Sequence, residues 1–339
     1  MSKSTDRRQF LSRAVLGAAG AGAMLGREEQ ILAAALEDGT TETSQAEPIE
    51  AVEPMPCGKI GKFSISRMIM GGNLIGGWAH SRDLLYSSQL FKAYNTEAKI
   101  FETLELGERQ GINTIQVDPA YQHVIEKYNK VRRRNLQSIV CVTQVGKKDA
   151  QRDQIKQLID QGATMLYTHG MQADEQVKGG RIEALAEALD LIREQGLLAG
   201  IGSHSLEVPI AVEKEGLNPD YYVKTFHIDN YWSATPEEHR EEWCWYKGQS
   251  TDHNTYHDNM FCLDAEKTAA FMEKVDKPWI AFKVLAAGAI HPRFGFSHAF
   301  KNGADFICVG MFDFHVAANA QLAKDLLRKI RTRQRPWRA

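Results

Sequence analysis

The chain has 339 residues, 43% of them hydrophobic and 25% charged, with a formal net charge of -2. That composition is ordinary for a globular protein, and the lack of a basic excess argues against nucleic acid as a partner. No apolar run approaches the roughly 18 residues a membrane span requires, so the mature form is expected to carry no stable span.

The amino terminus reads as an address. Asp6-Arg7-Arg8-Gln9-Phe10-Leu11 precedes the weakly apolar, Ala- and Gly-rich stretch Ala14 to Leu25. Pair, spacing and apolar region together have the form of a twin-arginine signal. Residues 1–36 are therefore expected to engage the twin-arginine export machinery and to direct the product to the periplasm or another extracytoplasmic space. Residues 37–57, acidic and carrying Pro48, Pro54 and Pro56, read as a flexible linker.

From residue 58 to 335 the pattern is that of one domain. Eight short runs have strand character: Arg67–Met70, Thr114–Val117, Ser138–Thr143, Thr164–Tyr167, Ala199–Gly202, Val223–His227, Trp279–Val284 and Phe306–Val309. They are continuous apolar runs rather than alternating ones, as expected for strands covered on both faces. Between them run helical patterns: Glu97–Gln110, the series Ile182, Leu185, Leu189, Ile192, the segment Ala265–Val275, and the series Leu322, Leu326, Ile330. Eight strands alternating with helices predict a single (β/α)8 TIM barrel, α/β in class. Gly71 to Gly77 is glycine-rich but opens no clear helix, which argues against a doubly wound nucleotide-binding sheet.

Residues 233–263 break the rhythm between strands six and seven. This segment holds Trp243, Trp245, Tyr246, Tyr256, His239, His253 and His257. A loop this long at the carboxyl face of a barrel reads as a lid over an active site, with a surface decoration as the alternative. Cys244 and Cys262 both lie in it, either paired or as free thiols. The five cysteines show no C-x-x-C spacing, which speaks against zinc ribbons and thioredoxin-like motifs. The Arg-rich end, Arg328 to Arg338, reads as a solvated helix end and tail.

Residues that end barrel strands share one mouth, so Asn73, Asp118, Gln144, His169, His204, His227, Asp229 and Lys283 are expected there. Asp118, His169, His204 and His227 form a set able to hold a divalent metal such as zinc, manganese or iron, or to move protons near neutrality. Lys283, in an otherwise apolar strand, suits an anion, a carbonyl or a plain ion pair. Trp78, Trp232, Trp243 and Trp245 are candidates for stacking on a sugar ring, against plain packing of large apolar groups.

Several of these stretches resemble the aldo/keto reductases. They are Gly111 to Ala120 with Asp118, Val142 to Gly146, Leu166 to His169, Ile201 to His204, Ala281 to Gly288, and Val309 to Met311 with Asn319. The resemblance spans about residues 58–327 and implies the same barrel. It also implies Asp118 and His169 in the catalytic set, and NAD(P) contacts from Gln144, Ser203, Gly310 and Asn319. The departures are specific. His123 stands where the proton-donating tyrosine is expected, with Tyr121 two residues earlier. Gln144 replaces the lysine, and Phe312 and Asp313 occupy the place of the arginine that grips a 2′-phosphate.

Three functions remain open at this level. The first is non-redox proton transfer on a small carbonyl or sugar-type compound, a lyase, isomerase or hydrolase assisted by a His/Asp cluster or metal. The second is an NAD(P)-dependent oxidoreductase with an altered catalytic set, using His123 or Tyr121 as the acid. The third is a carbohydrate-binding pseudoenzyme built on the aromatic lid.

Overall fold

The computed structural model describes residues 53–80, 84–243 and 260–339. The expectations for residues 1–36 and for Cys244, Trp245, Tyr246, His253, Tyr256 and His257 lie outside them. Ten strands run in chain order: β1 (Cys57–Ile60), β2 (Phe63–Ser66), β3 (Met68–Gly71), β4 (Thr114–Val117), β5 (Gln137–Val142), β6 (Met165–Thr168), β7 (Ala199–Ser203), β8 (Tyr221–Thr225), β9 (Trp279–Phe282) and β10 (Phe306–Gly310). Strands β3 to β10 close a parallel barrel in the order β10-β3-β4-β5-β6-β7-β8-β9. The eight expected strands are all present within two residues of their ends.

Among the described residues eleven α-helices accompany them. They are α1 (Asn73–Gly76), α2 (Leu85–Tyr94), α3 (Glu97–Arg109), α4 (Gln122–Arg132), α5 (Lys148–Asp160), α6 (Gly170–Lys178), α7 (Glu183–Arg193), α8 (Glu207–Lys214), α9 (Ala265–Lys274), α10 (Pro292–Lys301) and α11 (Asp313–Lys329). The architecture is a (β/α)8 barrel. Local chemistry sets several boundaries. Thr96 accepts from Lys99 N at the start of α3, and Asp264 accepts from Lys267 N at the start of α9. Buried Leu185, Leu189 and Ile192 form the inner face of α7.

The hairpin β1–β2 is antiparallel and lies outside the barrel sheet. Its Ile60 and Ile65, fully buried, join the same core cluster as Ile69, Ile139, Met165, Val223, Ile280 and Phe306. Two tyrosines of this core, Tyr167 and Tyr221, are set opposite two glycines on β7. A Cβ on Gly200 would lie 2.6 Å from the Tyr221 ring, and one on Gly202 would lie 2.3 Å from the Thr168 carbonyl oxygen. The small residues on one strand make room for rings on its neighbours. The phenols are bonded: Gln116 Nε2 donates to Tyr167 (2.8 Å), and Tyr221 donates to the Leu166 carbonyl (2.9 Å).

The Arg-rich end is only partly solvated: Arg328 and Arg331 are exposed, but Arg335 is not. Arg335 is fully buried and pairs with buried Asp305 at 2.7 Å. Its remaining donors reach the carbonyls of Val275, Gly303 and Lys277. Arg67 and Arg333 lie over the Trp337 ring at 4.0 and 3.3 Å. Complete bonding of the guanidinium and carboxylate is what makes such a buried pair tolerable.

Candidate functional site

Strand β9 ends in a strained turn. Lys283 has φ 57°, Ala286 44° and Ala287 55°, all in the left-handed region, before Gly288 at 91°. Each non-glycine residue in that region costs about 1–2 kcal/mol, and such strain concentrates at functional sites. The turn turns Lys283 inward. Its Nζ lies 4.0 Å from the centre of the Phe261 ring and 5.9 Å from that of Phe282.

Strands β6 and β7 deliver two histidines. His169 follows β6 at the start of α6, its N–H donating to the Val142 carbonyl. His204 follows β7 and is 6% exposed. Its Nδ1 lies 2.7 Å from Asp174 Oδ2, on a fully buried side chain of α6. Asp174 also accepts from the backbone N–H groups of His204 and Ser205. The buried Lys224 balances its charge, donating from Nζ to the carbonyls of His204 and Thr225. With Asp174 as the acceptor, Nδ1 carries the proton and Nε2 is the basic nitrogen of His204.

The electrostatics keep these imidazoles neutral. The Lys283 charge, then burial, hold His80 well below the usual histidine range. Burial, then Lys283 and Lys224, do the same to His204. Burial brings His169 down to about 4, with the nearby His204 and Lys283 adding to the effect. Burial raises Asp174 to about 7, against the pull of its backbone donors and of Lys224. Among the described residues, the result is a group of neutral imidazoles whose depression Lys283 shares in causing.

The segment returning from the long loop closes over this group. Met260, Phe261 and Cys262 are buried. His227 anchors them: its Nδ1 bonds the Ile228 carbonyl at 2.8 Å, and its Nε2 accepts from the N–H groups of Phe261 (3.2 Å) and Cys262 (3.0 Å). Thr225 Oγ1 donates to the Phe261 carbonyl. The Phe261 ring meets His80 at 5.3 Å and His204 at 4.8 Å between centroids, with Trp243 and Leu263 packed against it.

A cavity of about 330 Å³ opens beside this cluster, over the carboxyl ends of β3, β9 and β10. Trp78, Phe91, Phe261, Phe282 and Phe312 supply its aromatic walls, and Gln116, His80, Lys283, Asn319 and His315 its polar groups. That mix of apolar walls and a few polar groups is the ordinary character of a small-molecule site. Gln116 uses Nε2 on Tyr167, and its buried Oε1 has no hydrogen-bond partner.

The expected residues divide clearly. Lys283, Gly310, Asn319 and Trp78 line the cavity. His169 and His204 belong to the group around Lys283. Asp118, His169, His204 and His227 are not gathered as a metal site: among the described residues no three His, Cys, Asp or Glu side chains could hold one metal ion. His227 has both ring nitrogens engaged by backbone, which leaves no lone pair for a cation. Asp118 accepts from Ala120 N and caps the short turn Pro119–Tyr121, with burial raising its carboxyl above the usual range. Tyr121 packs edge-on against Trp78 at 5.7 Å. His123 is exposed on α4, and Trp232 is 82% exposed. Gln144 is half-buried just past β5, and Ser203 is fully buried, its Oγ without a partner. Trp243 packs on Phe261. Cys262 is buried with a free thiol.

Three residues of the group escape a reading of strand ends. Asp174 sits mid-helix, and its signal is a carboxylate in phase with buried Gly170 and Ala173 on α6. His80 follows the turn after α1 and has no local signal. Phe261 takes its place from hydrogen bonds to a histidine 34 residues away.

No family profile matches the sequence. No curated protein is significantly similar to it. Among solved structures, a protein named as an aldo-keto reductase from Pseudomonas aeruginosa superposes with a TM-score of 0.54 at 15% identity, over 84% of this chain and 100% of that one. The likeness is one of fold. A mandelate oxidase (TM-score 0.43, 11% identity, 89% and 83% covered) and the aldolase QR15 (0.40, 14%, 70% and 92%) are more distant barrels.

Asp313, at the start of α11, carries a carboxylate that accepts from Tyr94 and Lys99 and is held below its usual range by them.

Proposed function

We propose that this barrel is an enzyme that moves a proton beside the carbonyl group of a small carbonyl or sugar-type compound, without net redox change. The buried Asp174–His204 pair carries this reading, because its 2.7 Å contact orients a neutral imidazole in the group that surrounds Lys283. In this reaction Asp174 fixes the tautomer, and His204 Nε2 takes the proton from the carbon next to the carbonyl. Lys283 stabilises the charge that develops on the carbonyl side. Phe261 keeps bulk water from the basic nitrogens, which strengthens these interactions. The twin-arginine pattern of residues 1–36 supports an extracytoplasmic place of action, where a chemistry independent of a reduced nicotinamide pool is an advantage.

The test is proton exchange in D2O, followed by NMR on hydroxyacetone, dihydroxyacetone and glyceraldehyde. Wild-type protein should exchange the carbon-bound proton of at least one of them. His204→Gln should slow that exchange by about a hundredfold or more, the usual contribution of a positioned base. Equal rates in both proteins would remove the proposal.

A second reading, an oxidoreductase using unphosphorylated NAD, draws on Gly310 and Asn319 in the cavity wall. It requires nicotinamide nucleotide in the supernatant of the denatured protein, or a rise in melting temperature with NAD.

A further inference from the structure

We infer that the cavity binds a flat aromatic compound carrying one hydrogen-bond donor, and that Gln116 is the residue that selects for that donor. The inference rests on the proton-transfer reading in so far as it names the body of that reaction's substrate.

The first support is an acceptor without a donor. Gln116 stands on β4 between buried Ile115 and Val117 and lines the cavity. Its amide is not free to turn, because Nε2 donates to the Tyr167 hydroxyl at 2.8 Å. That phenol is itself fixed. Its ring belongs to the buried core and lies where a Cβ on Gly202 would stand, 2.9 Å from Cδ2. Oε1 is thereby left as an acceptor, closed to bulk water and without a hydrogen-bond partner. A buried carbonyl oxygen with no donor is costly, and in a residue that lines a cavity the bound molecule can supply one. Cys308 also lines the cavity, but its thiol lies 3.9 Å from the Met70 carbonyl oxygen, and burial pushes it up to about 12, so it stays neutral. One strong acceptor beside a neutral thiol suits one donor.

The second support is a set of rings braced before anything binds. Trp78 is 40% exposed, yet it is held. A Cβ on Gly76 would lie 2.3 Å from Cε3 and Cζ3 of the indole, so α1 omits a side chain where the ring sits. Tyr121 meets the same ring edge-on at 5.7 Å. Across the cavity wall, Phe312 is met edge-on by Phe91 at 5.1 Å and by Tyr94 at 5.4 Å. Rings already immobilised lose little freedom when a flat molecule stacks on them.

The third support is reserved space. Gly310 ends β10 on the cavity wall. A Cβ there would meet nothing nearer than Leu74 Cγ at 3.6 Å, an ordinary contact. The fold would accept a side chain at this position, and its absence leaves that volume to the cavity.

The test is titration calorimetry on the full chain with 4-hydroxyacetophenone and acetophenone, which differ only by the donor. Glucose and NAD are titrated beside them. Wild-type protein should bind the phenol about tenfold more tightly than acetophenone, as expected when a buried acceptor gains its donor, and should bind glucose more weakly than either. Gln116→Met, similar in length and without the acceptor, should bind the two ketones alike. Gly310→Ala adds one methyl to the cavity wall and should weaken both ketones by about tenfold, which places them in this cavity. Equal affinity of wild type for the two ketones, or binding of neither, would overturn the inference. So would a preference that survives in a folded Gln116→Met protein, or NAD displacing the phenol at lower concentration. The wild-type comparison decides the matter even should Gln116→Met fold poorly. Calorimetry needs no turnover, so the two proposals fail separately. Binding of the phenol with no proton exchange on any carbonyl compound removes the proton-transfer reading alone. Exchange on hydroxyacetone with no preference for the phenol removes this inference alone.

Discussion

Replacing His227 by alanine tests how the mouth is held shut. The ring is fully buried, and its Nε2 accepts from two backbone N–H groups, those of Phe261 and Cys262. Their loss leaves two buried donors without partners, at about 1–3 kcal/mol each, so a destabilisation of about 3 kcal/mol is expected. Part of it should appear locally. Amide exchange at Phe261 and Cys262 should speed up by about a hundredfold, since 1.4 kcal/mol corresponds to a factor of ten.

The same residue gives a pH signature. Burial brings the His227 imidazole down to about 3, below the ordinary 6.5 of the unfolded chain. The unfolded state therefore binds the extra proton between those values. The neutral ring's contribution is fully present above pH 6.5 and is lost as pH falls toward 3. Between pH 7 and pH 5 the wild type should lose about 2 kcal/mol more than His227→Ala. Urea unfolding at the two pH values measures the difference. A variant destabilised by less than about 1 kcal/mol, with unchanged exchange at Phe261 and Cys262, would refute the anchoring role.

Other substitutions probe the frame around the site. Arg335→Ala strands the buried Asp305 carboxylate and should cost about 3–5 kcal/mol in chemical denaturation. Gly202→Ala drives a methyl against the Thr168 carbonyl oxygen at 2.3 Å and should cost about 1–3 kcal/mol, measured the same way. Phe261→Ala removes the ring beside His204. Because burial is the leading cause of that histidine's depression, its NMR titration should move back toward 6.5.

The barrel was legible because its strands are short apolar runs separated by helices of clear period. Thr114–Val117 and Phe306–Val309 need no tertiary information to be read. The hairpin β1–β2 was not legible. Two four-residue strands next to a Pro-rich stretch give no period, and only the barrel floor gives Ile60 and Ile65 a place to bury. The Arg-rich tail misleads for a related reason. A charge run is normally solvated, and the burial of Arg335 depends on Asp305, 30 residues earlier in sequence.

The site shows the same division. The rule that strand ends share a mouth puts His169, His204 and Lys283 in one neighbourhood, as the structure does. It says nothing of the hydrogen bonds that engage the His227 lone pair with a loop backbone and the Asp118 carboxylate with a turn. Asp174 carries no strand-end signal, because it lies on a helix and meets His204 only in the folded barrel.

The most direct measurement is the rate of carbon-bound proton exchange in D2O for wild type and Asp174→Asn, on whichever carbonyl compound the wild type exchanges. An amide in place of the carboxylate cannot hold the same imidazole tautomer, so the rate should fall by about a hundredfold or more at neutral pH with the fold intact. An Asp174→Asn protein that folds normally and exchanges at the wild-type rate would contradict the account.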